Sequence, residues 1–186
     1  IRPGNFDDHL PRLAECDLII EAAVENPVIK SSIFKKIDAH RKPGSTVSSN
    51  TSTIPLKDLI ADQSDAFKKD FMITHFFNPP RHMRLLELVT SSHNDAAKIA
   101  EVRDFMDEKL GKEVVVCNDT PGFIANRIGT FWIQAAINGA YDNKLTVEEA
   151  DAIVGKPMGV PKTGIFGLVD LVGLDLMPYI SKSLKS

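Results

Sequence analysis

Short unbroken apolar runs alternate with apolar stripes of helical spacing through the first 118 residues. Asp17-Leu18-Ile19-Ile20-Glu21-Ala22-Ala23 has the length and content of a buried strand. Asn26-Pro27 then predicts a helix start, with Asn as cap and Pro at the first helical position. Ile29, Ile33 and Ile37 recur at i, i+4 and i+8, one face of that helix, and Lys42-Pro43-Gly44 ends it. Thr46-Val47-Ser48 predicts a second strand, and Thr53 stands where it can cap a short helix starting at Pro55. Phe71 to Phe77 and Leu85 to Val89 are two further strands, separated by Asn78-Pro79-Pro80 and a basic loop. Asp95 is expected to cap a helix whose stripe is Ile99, Val102, Phe105, Met106 and Leu110. Glu113 to Cys117 is the last strand.

After Asn118 the texture changes. Asp119-Thr120-Pro121 predicts the start of a long helix reaching Asp142. Thr146-Val147-Glu148-Glu149 has the form of a capping box for another. Gly167 to Ser186 reads as a third helical stretch with loops, and no further strand stands out. The chain therefore divides into an α/β part, residues 1–118, and an all-helical part, residues 119–186.

Composition narrows the class without naming it. Hydrophobic residues at 43% and charged residues at 25% are ordinary for a globular protein, and a net charge of -3 argues against a nucleic-acid partner. Cys16 and Cys117 form neither a disulfide framework nor a zinc site, and a reducing, cytoplasmic setting is the simplest reading. No apolar run approaches the ~18 residues needed to span a membrane. Ile1 to Glu15 is broken by Arg2, Asp7, Asp8 and Arg12 and is no signal peptide. The missing initiator Met raises the expectation of a truncated chain.

Candidate chemistry collects at the strands and the turns after them. His75 and Glu87 each interrupt an apolar run, and a buried carboxylate asks for a partner. Paired, the carboxylate would fix the imidazole tautomer and leave the other ring nitrogen as a general base. A core His with its own partners and a solvent-facing Glu satisfy the same pattern. Ser49-Asn50-Thr51-Ser52 follows a strand and is dense in small hydrogen-bonding groups; it reads as a crevice lining or as an ordinary capped loop. Glu25-Asn26 follows the first strand in the same way. Asn126, one turn into the long helix, either sits among apolar groups and needs partners or faces solvent. Arg81, His82 and Arg84 form a small basic loop. No His, Cys, Asp or Glu spacing suggests a metal, and neither G-x-G-x-x-G nor a P-loop occurs.

In order and spacing, five segments resemble the 3-hydroxyacyl-CoA dehydrogenase family over nearly the whole chain. They are Cys16 to Asn26, Ser49-Asn50-Thr51-Ser52, His75-Phe76-Phe77-Asn78-Pro79, Leu86-Glu87-Leu88-Val89 and Asp119 to Arg127; Pro157-Met158-Gly159 and Asp170 to Asp175 also fit. The resemblance implies a partial Rossmann-like NAD-binding domain followed by an all-α, 6-phosphogluconate-dehydrogenase-like C-terminal domain, itself cut short. It implies NAD-dependent oxidation of L-3-hydroxyacyl-CoA to 3-ketoacyl-CoA in fatty-acid β-oxidation. His75 matches the family's catalytic base and Glu87 its acidic partner. Ser52 and Asn126 match residues that hydrogen-bond near the substrate oxygen and the nicotinamide, so the site is expected in the cleft between the two domains. Glu25, Lys30, Asn50, Ser52 and Asn78 match cofactor-contacting positions. A homodimer through the helical domain is implied as well.

One departure is large. Ile1 to Phe6 matches a point past the family's glycine-rich βαβ unit, so the chain alone is expected to bind NAD poorly and to be inactive. Val160-Pro161-Lys162-Thr163-Gly164 resembles larger bacterial members, some fused to an enoyl-CoA hydratase. Two other readings compete. One is a two-domain dehydrogenase of the 3-hydroxyacid or 6-phosphogluconate type, which uses a Lys in the helical domain; the other is a non-catalytic acyl-CoA-binding relative.

Overall fold

The computed structural model describes residues 1–159, 163–174, 177–178 and 184. It forms two compact units, Ile1–Phe123 and Ile124–Ser186. The first is built on a five-stranded sheet of β1 (Leu18–Glu21), β2 (Thr46–Ser49), β3 (Phe71–Phe76), β4 (Leu85–Val89) and β5 (Glu113–Cys117), ordered as they occur in the chain. β1, β2 and β3 run parallel; β4 turns back antiparallel to β3, and β5 is parallel to β4.

Side chains alternate across the sheet, so each face makes its own core. One face carries Ile19, Val47, Phe71, Ile73, Val89 and Cys117 and is covered by α1 (Pro27–His40), α2 (Leu56–Leu59) and α3 (Asp65–Asp70). Phe34, Phe67 and Phe71 form an aromatic triangle there, with centroids 5.0–5.6 Å apart. The other face packs Met72, Leu86 and Leu88 against Val102 and Met106 of α4 (Ala96–Asp104) and the π-turn Phe105–Lys109 that extends it.

Asn26 caps α1 as expected, its Oδ1 accepting from the amides of Val28 and Ile29. The inward row of α1 differs from the expected one: Lys30, Phe34 and Ile37 are buried, while Ile29 is exposed. The reason is a buried acid on β1 that draws Lys30 inward (below). Along α4, Val102 and Met106 are buried but Phe105 and Leu110 are exposed, because the π-turn shifts the stripe. Asp95 stands at the N-cap of α4 without a side-chain bond.

Two expected helix starts are corrected. Thr53 does not cap α2: its N–H and hydroxyl both donate to Glu25, and the amides of Leu56 and Lys57 donate instead to Asp119, at 2.6 and 2.9 Å. Asp119 accordingly does not start the long helix. Gly122 and Phe123 have φ of 73° and 48°, left-handed backbone that interrupts helix, and α5 runs from Ala125 to Asp142.

In the second unit α5 is followed by α6 (Val147–Ile153) and α7 (Gly164–Val172). The capping box at Thr146 forms, with both reciprocal bonds to Glu149 present. Asp151 caps α7 by accepting from Phe166 N (2.7 Å) and Gly167 N (3.0 Å). Gly164 is required there: φ is 66°, and a Cβ would lie 2.5 Å from that of Asp151. Val160–Lys162, Asp175 and Leu176, and 179–183 and 185–186 lie outside the described residues, with the readings that fall on them.

Candidate active site

Three parallel strands end at one edge of the sheet, where an open α/β sheet binds its ligands. β4 runs the other way, so its first residues lie at that same edge. Register makes His75 of β3 and Glu87 of β4 direct cross-strand partners. Their side chains meet: His75 Nδ1 is 2.7 Å from Glu87 Oε2, with both residues buried. A carboxylate only accepts, so Nδ1 carries the hydrogen, and in the neutral imidazole Nε2 is then the nitrogen with the lone pair. The rings of Phe77 and Phe123 lie 4.6 and 5.7 Å from the imidazole. Phe123 holds φ 48°, a strained conformation for a bulky residue, and its buried ring keeps it there. Cys117 shares the Glu87 face; burial first, then the charge of Glu87 and a hydrogen bond to it, push the thiol up to about 11.

The loops after β1 and β2 are tied into one network. Glu25 Oε1 accepts from Thr51 Oγ1 (2.6 Å), Thr53 Oγ1 (2.9 Å) and the amides of Ser52 and Thr53 (3.1 Å each). Burial works to raise its carboxyl, but Thr51, the nearby Lys30 ammonium, Thr53 and the Ser52 amide outweigh it and hold it below the usual range. Lys30 is 1% exposed, and its ammonium donates to both oxygens of Glu21 (2.8 and 3.0 Å) and to Ala23 O (3.2 Å). Asn50 accepts the Phe76 amide at 2.9 Å, joining the ends of β2 and β3. Asn78 follows β3, exposed, before a cis bond to Pro79. Lys112 braces the turn beyond, donating to Pro80 O and, at 2.8 Å, to Met83 O.

Residues 1–120 match the family model described as 3-hydroxyacyl-CoA dehydrogenase, NAD binding domain, and residues 122–186 match 3-hydroxyacyl-CoA dehydrogenase, C-terminal domain. The chain belongs to the 3-hydroxyacyl-CoA dehydrogenase family. It is 46% identical over 97% of its length to a putative fatty acid oxidation complex trifunctional enzyme of Rickettsia felis, covering 25% of that protein. A probable 3-hydroxyacyl-CoA dehydrogenase of Bacillus subtilis is 42% identical over 98% of the chain, which covers 23% of it. Among solved structures, FadB2 of M. tuberculosis superposes with a TM-score of 0.85 at 35% identity, over 94% of this chain and 61% of that one. The chain thus spans about a quarter of the length of these two curated relatives.

Within this member of the dehydrogenase family, the first unit brings Glu25, Lys30, Asn50, Ser52, Asn78, His75 and Glu87 to one sheet edge. Asn126 belongs to the second unit, in the first turn of α5, partly buried. Arg81, His82 and Arg84 are exposed, and no group of metal-ligating side chains occurs among the described residues. Sequence reasoning gave no role to Glu21, Phe123 or Cys117, and read Ser49 and Thr51 only as part of a crevice lining or a capped loop. Glu21 carried a usable signal: an acid inside an apolar run, like Glu87.

Proposed function

We propose that the protein oxidises the 3-hydroxyl of L-3-hydroxyacyl-CoA to the ketone with NAD as acceptor, His75 acting as the general base. The observation that carries this reading is the buried 2.7 Å bond between His75 Nδ1 and Glu87 Oε2, which selects the tautomer of the neutral imidazole whose Nε2 can accept a proton. NAD, when bound, accepts the hydride. The donor set at the sheet edge fits its nicotinamide end. Glu25 presents a partly exposed carboxylate whose Oε2 has the Lys30 ammonium 3.5 Å away, and Asn50, Ser52 and Asn78, on the segments after β2 and β3, carry amide and hydroxyl groups. As His75 takes the substrate proton it becomes an imidazolium, and Glu87 stabilises the charge where it forms. Phe77 and Phe123 keep that imidazole from water.

The family's place in fatty-acid β-oxidation and the trifunctional naming of the Rickettsia relatives support the same role within a larger multifunctional protein. A homodimer through the helical unit accords with the exposed apolar row Ile124, Ile128 and Phe131 on and beside α5. A cytoplasmic setting accords with two cysteines that are both free.

The test is NADH formation from L-3-hydroxybutyryl-CoA by the natural full-length protein and its His75→Gln variant. Loss of the base is expected to lower kcat roughly 10²–10⁴-fold with substrate KM nearly unchanged. A variant that keeps a third or more of kcat would remove His75 from the chemistry.

A further inference from the structure

Lys30, beside Glu25 in the cofactor site, also forms a buried ion pair with an acid that the proposed chemistry gives no role. Glu21, at the end of β1, is 5% exposed and Lys30 1%, and the Nζ–Oε1 distance is 2.8 Å. Glu21 accepts more than Lys30. Its Oε1 takes the Ala23 amide at 2.5 Å, and its Oε2 takes the Ser49 hydroxyl at 2.6 Å. A hydroxyl donates once, so Ser49 is left with lone pairs, and it accepts the Thr51 amide at 3.2 Å.

From there the order passes along the loop. Asn50 N donates to Glu21 O (2.8 Å), Ser52 N and Thr53 N to Glu25 (3.1 Å each), and Ile54 N to Thr51 Oγ1 (3.1 Å). Every backbone N–H from Asn50 to Ile54 thus has a fixed acceptor. The ammonium of Lys30 ties the end of β1 to the loop after it, reaching Glu21, Ala23 O and, 3.5 Å away, Glu25, which in turn holds the loop after β2. Its three hydrogens go to Glu21 Oε1, Glu21 Oε2 and Ala23 O, and the Glu25 carboxylate completes the contacts as an ion pair.

A buried ion pair is a poor source of stability, because desolvating both charges offsets their attraction, and apolar residues of similar volume do as well or better. What this pair provides that an apolar pair cannot is a set of directed bonds into two loops. We propose that Glu21 is a positioning residue for the cofactor site: through Lys30, Ser49 and the Ala23 amide it fixes the loops after β1 and β2. The inference rests on the reading of Glu25, Asn50 and Ser52 as cofactor-binding residues.

The experiment compares the natural full-length protein with Glu21→Gln and with the double variant Glu21→Leu/Lys30→Met. Three quantities are read: the Kd for NADH by fluorescence, the split between KM for NAD and kcat, and amide hydrogen exchange of segment 49–54 by mass spectrometry. Glu21→Gln is expected to weaken NADH binding and raise the NAD KM roughly tenfold, as loss of a residue that orients ligands does. At saturating NAD, kcat should fall less than about threefold, and segment 49–54 should exchange faster. Should the single variant fail to fold, the double variant, which buries no charge, is expected to fold and to show the same loss. A folded variant with unchanged NADH affinity and unchanged exchange in segment 49–54 would overturn this positioning role. Failure of the unsubstituted protein to bind NADH would instead overturn the functional reading, and exchange in the variants would still decide whether Glu21 orders the loop.

Discussion

Cys117 shows how strongly one side chain feels its neighbours. It lies on β5 opposite Val89, on the face that carries Glu87, and 5% of it is exposed. An ionised thiol there would face both a dry surrounding and a like charge, which is why the value rises from 9.0 to about 11. Because the folded value is the higher one, the native state holds its proton where the unfolded chain has lost it. The contribution to stability is complete below pH 9.0 and is lost as pH climbs through about 11. Urea midpoints measured across that window are expected to fall more steeply for the natural protein than for Cys117→Ala. Parallel curves would mean that the thiol ionises as freely folded as unfolded. Glu25 shows the opposite case: its depressed carboxyl keeps the loop bonds intact as pH falls past the ordinary carboxylate range, and they are lost only on further acidification.

Among the elements, α2 depends on a distant residue. Four residues long, it follows Pro55, which has no side-chain acceptor. Short helices are marginal by themselves, and the two bonds from Leu56 N and Lys57 N to Asp119 supply what the local sequence lacks. Asp119→Ala is expected to cost about 1–2 kcal/mol, the upper part of the range for a lost N-cap, read as a shift in the urea midpoint. Thr53→Ala should leave the α2 amides protected from hydrogen exchange; if it exposes them and Asp119→Ala does not, the assignment of the cap is reversed. The same comparison shows what a sequence can disclose. Asn26 and the Thr146 capping box were legible because donor and acceptor lie within four residues. Asp119 and Leu56 are separated by 63 positions, and no periodicity links them. The inward turn of Lys30 was hidden for the same reason, since its acid lies on another element. His75 and Glu87 were legible as residues needing partners, and antiparallel register, which the sequence does not spell out, supplies the pairing.

On the scale of the whole molecule, the two units differ in how much apolar surface they bury within themselves. The sheet of the first unit is covered on both faces; every residue of β2 is buried, as are five of six in β3. The second unit buries Ala140, Ala150, Ile165 and Val169 among its described apolar residues, and leaves Ile128, Phe131, Tyr141 and Leu171 exposed. Burial of apolar area is the main favourable term in folding, at roughly 25 cal/mol per Å², so local opening should require less free energy in the helical unit. In the 186-residue chain, amides of β2, β3 and α1 are therefore expected to exchange slowest, and those of α5, α6 and α7 at least about tenfold faster. Mass spectrometry of peptides after timed exchange measures this directly, and dilution adds a second axis. If α5 proves as protected as β3 at high concentration and loses that protection on dilution, its exposed row is covered in solution by a second copy, which is the dimer proposed for the helical unit. If its fast exchange is independent of concentration, the row stays open and that dimer does not form in this chain.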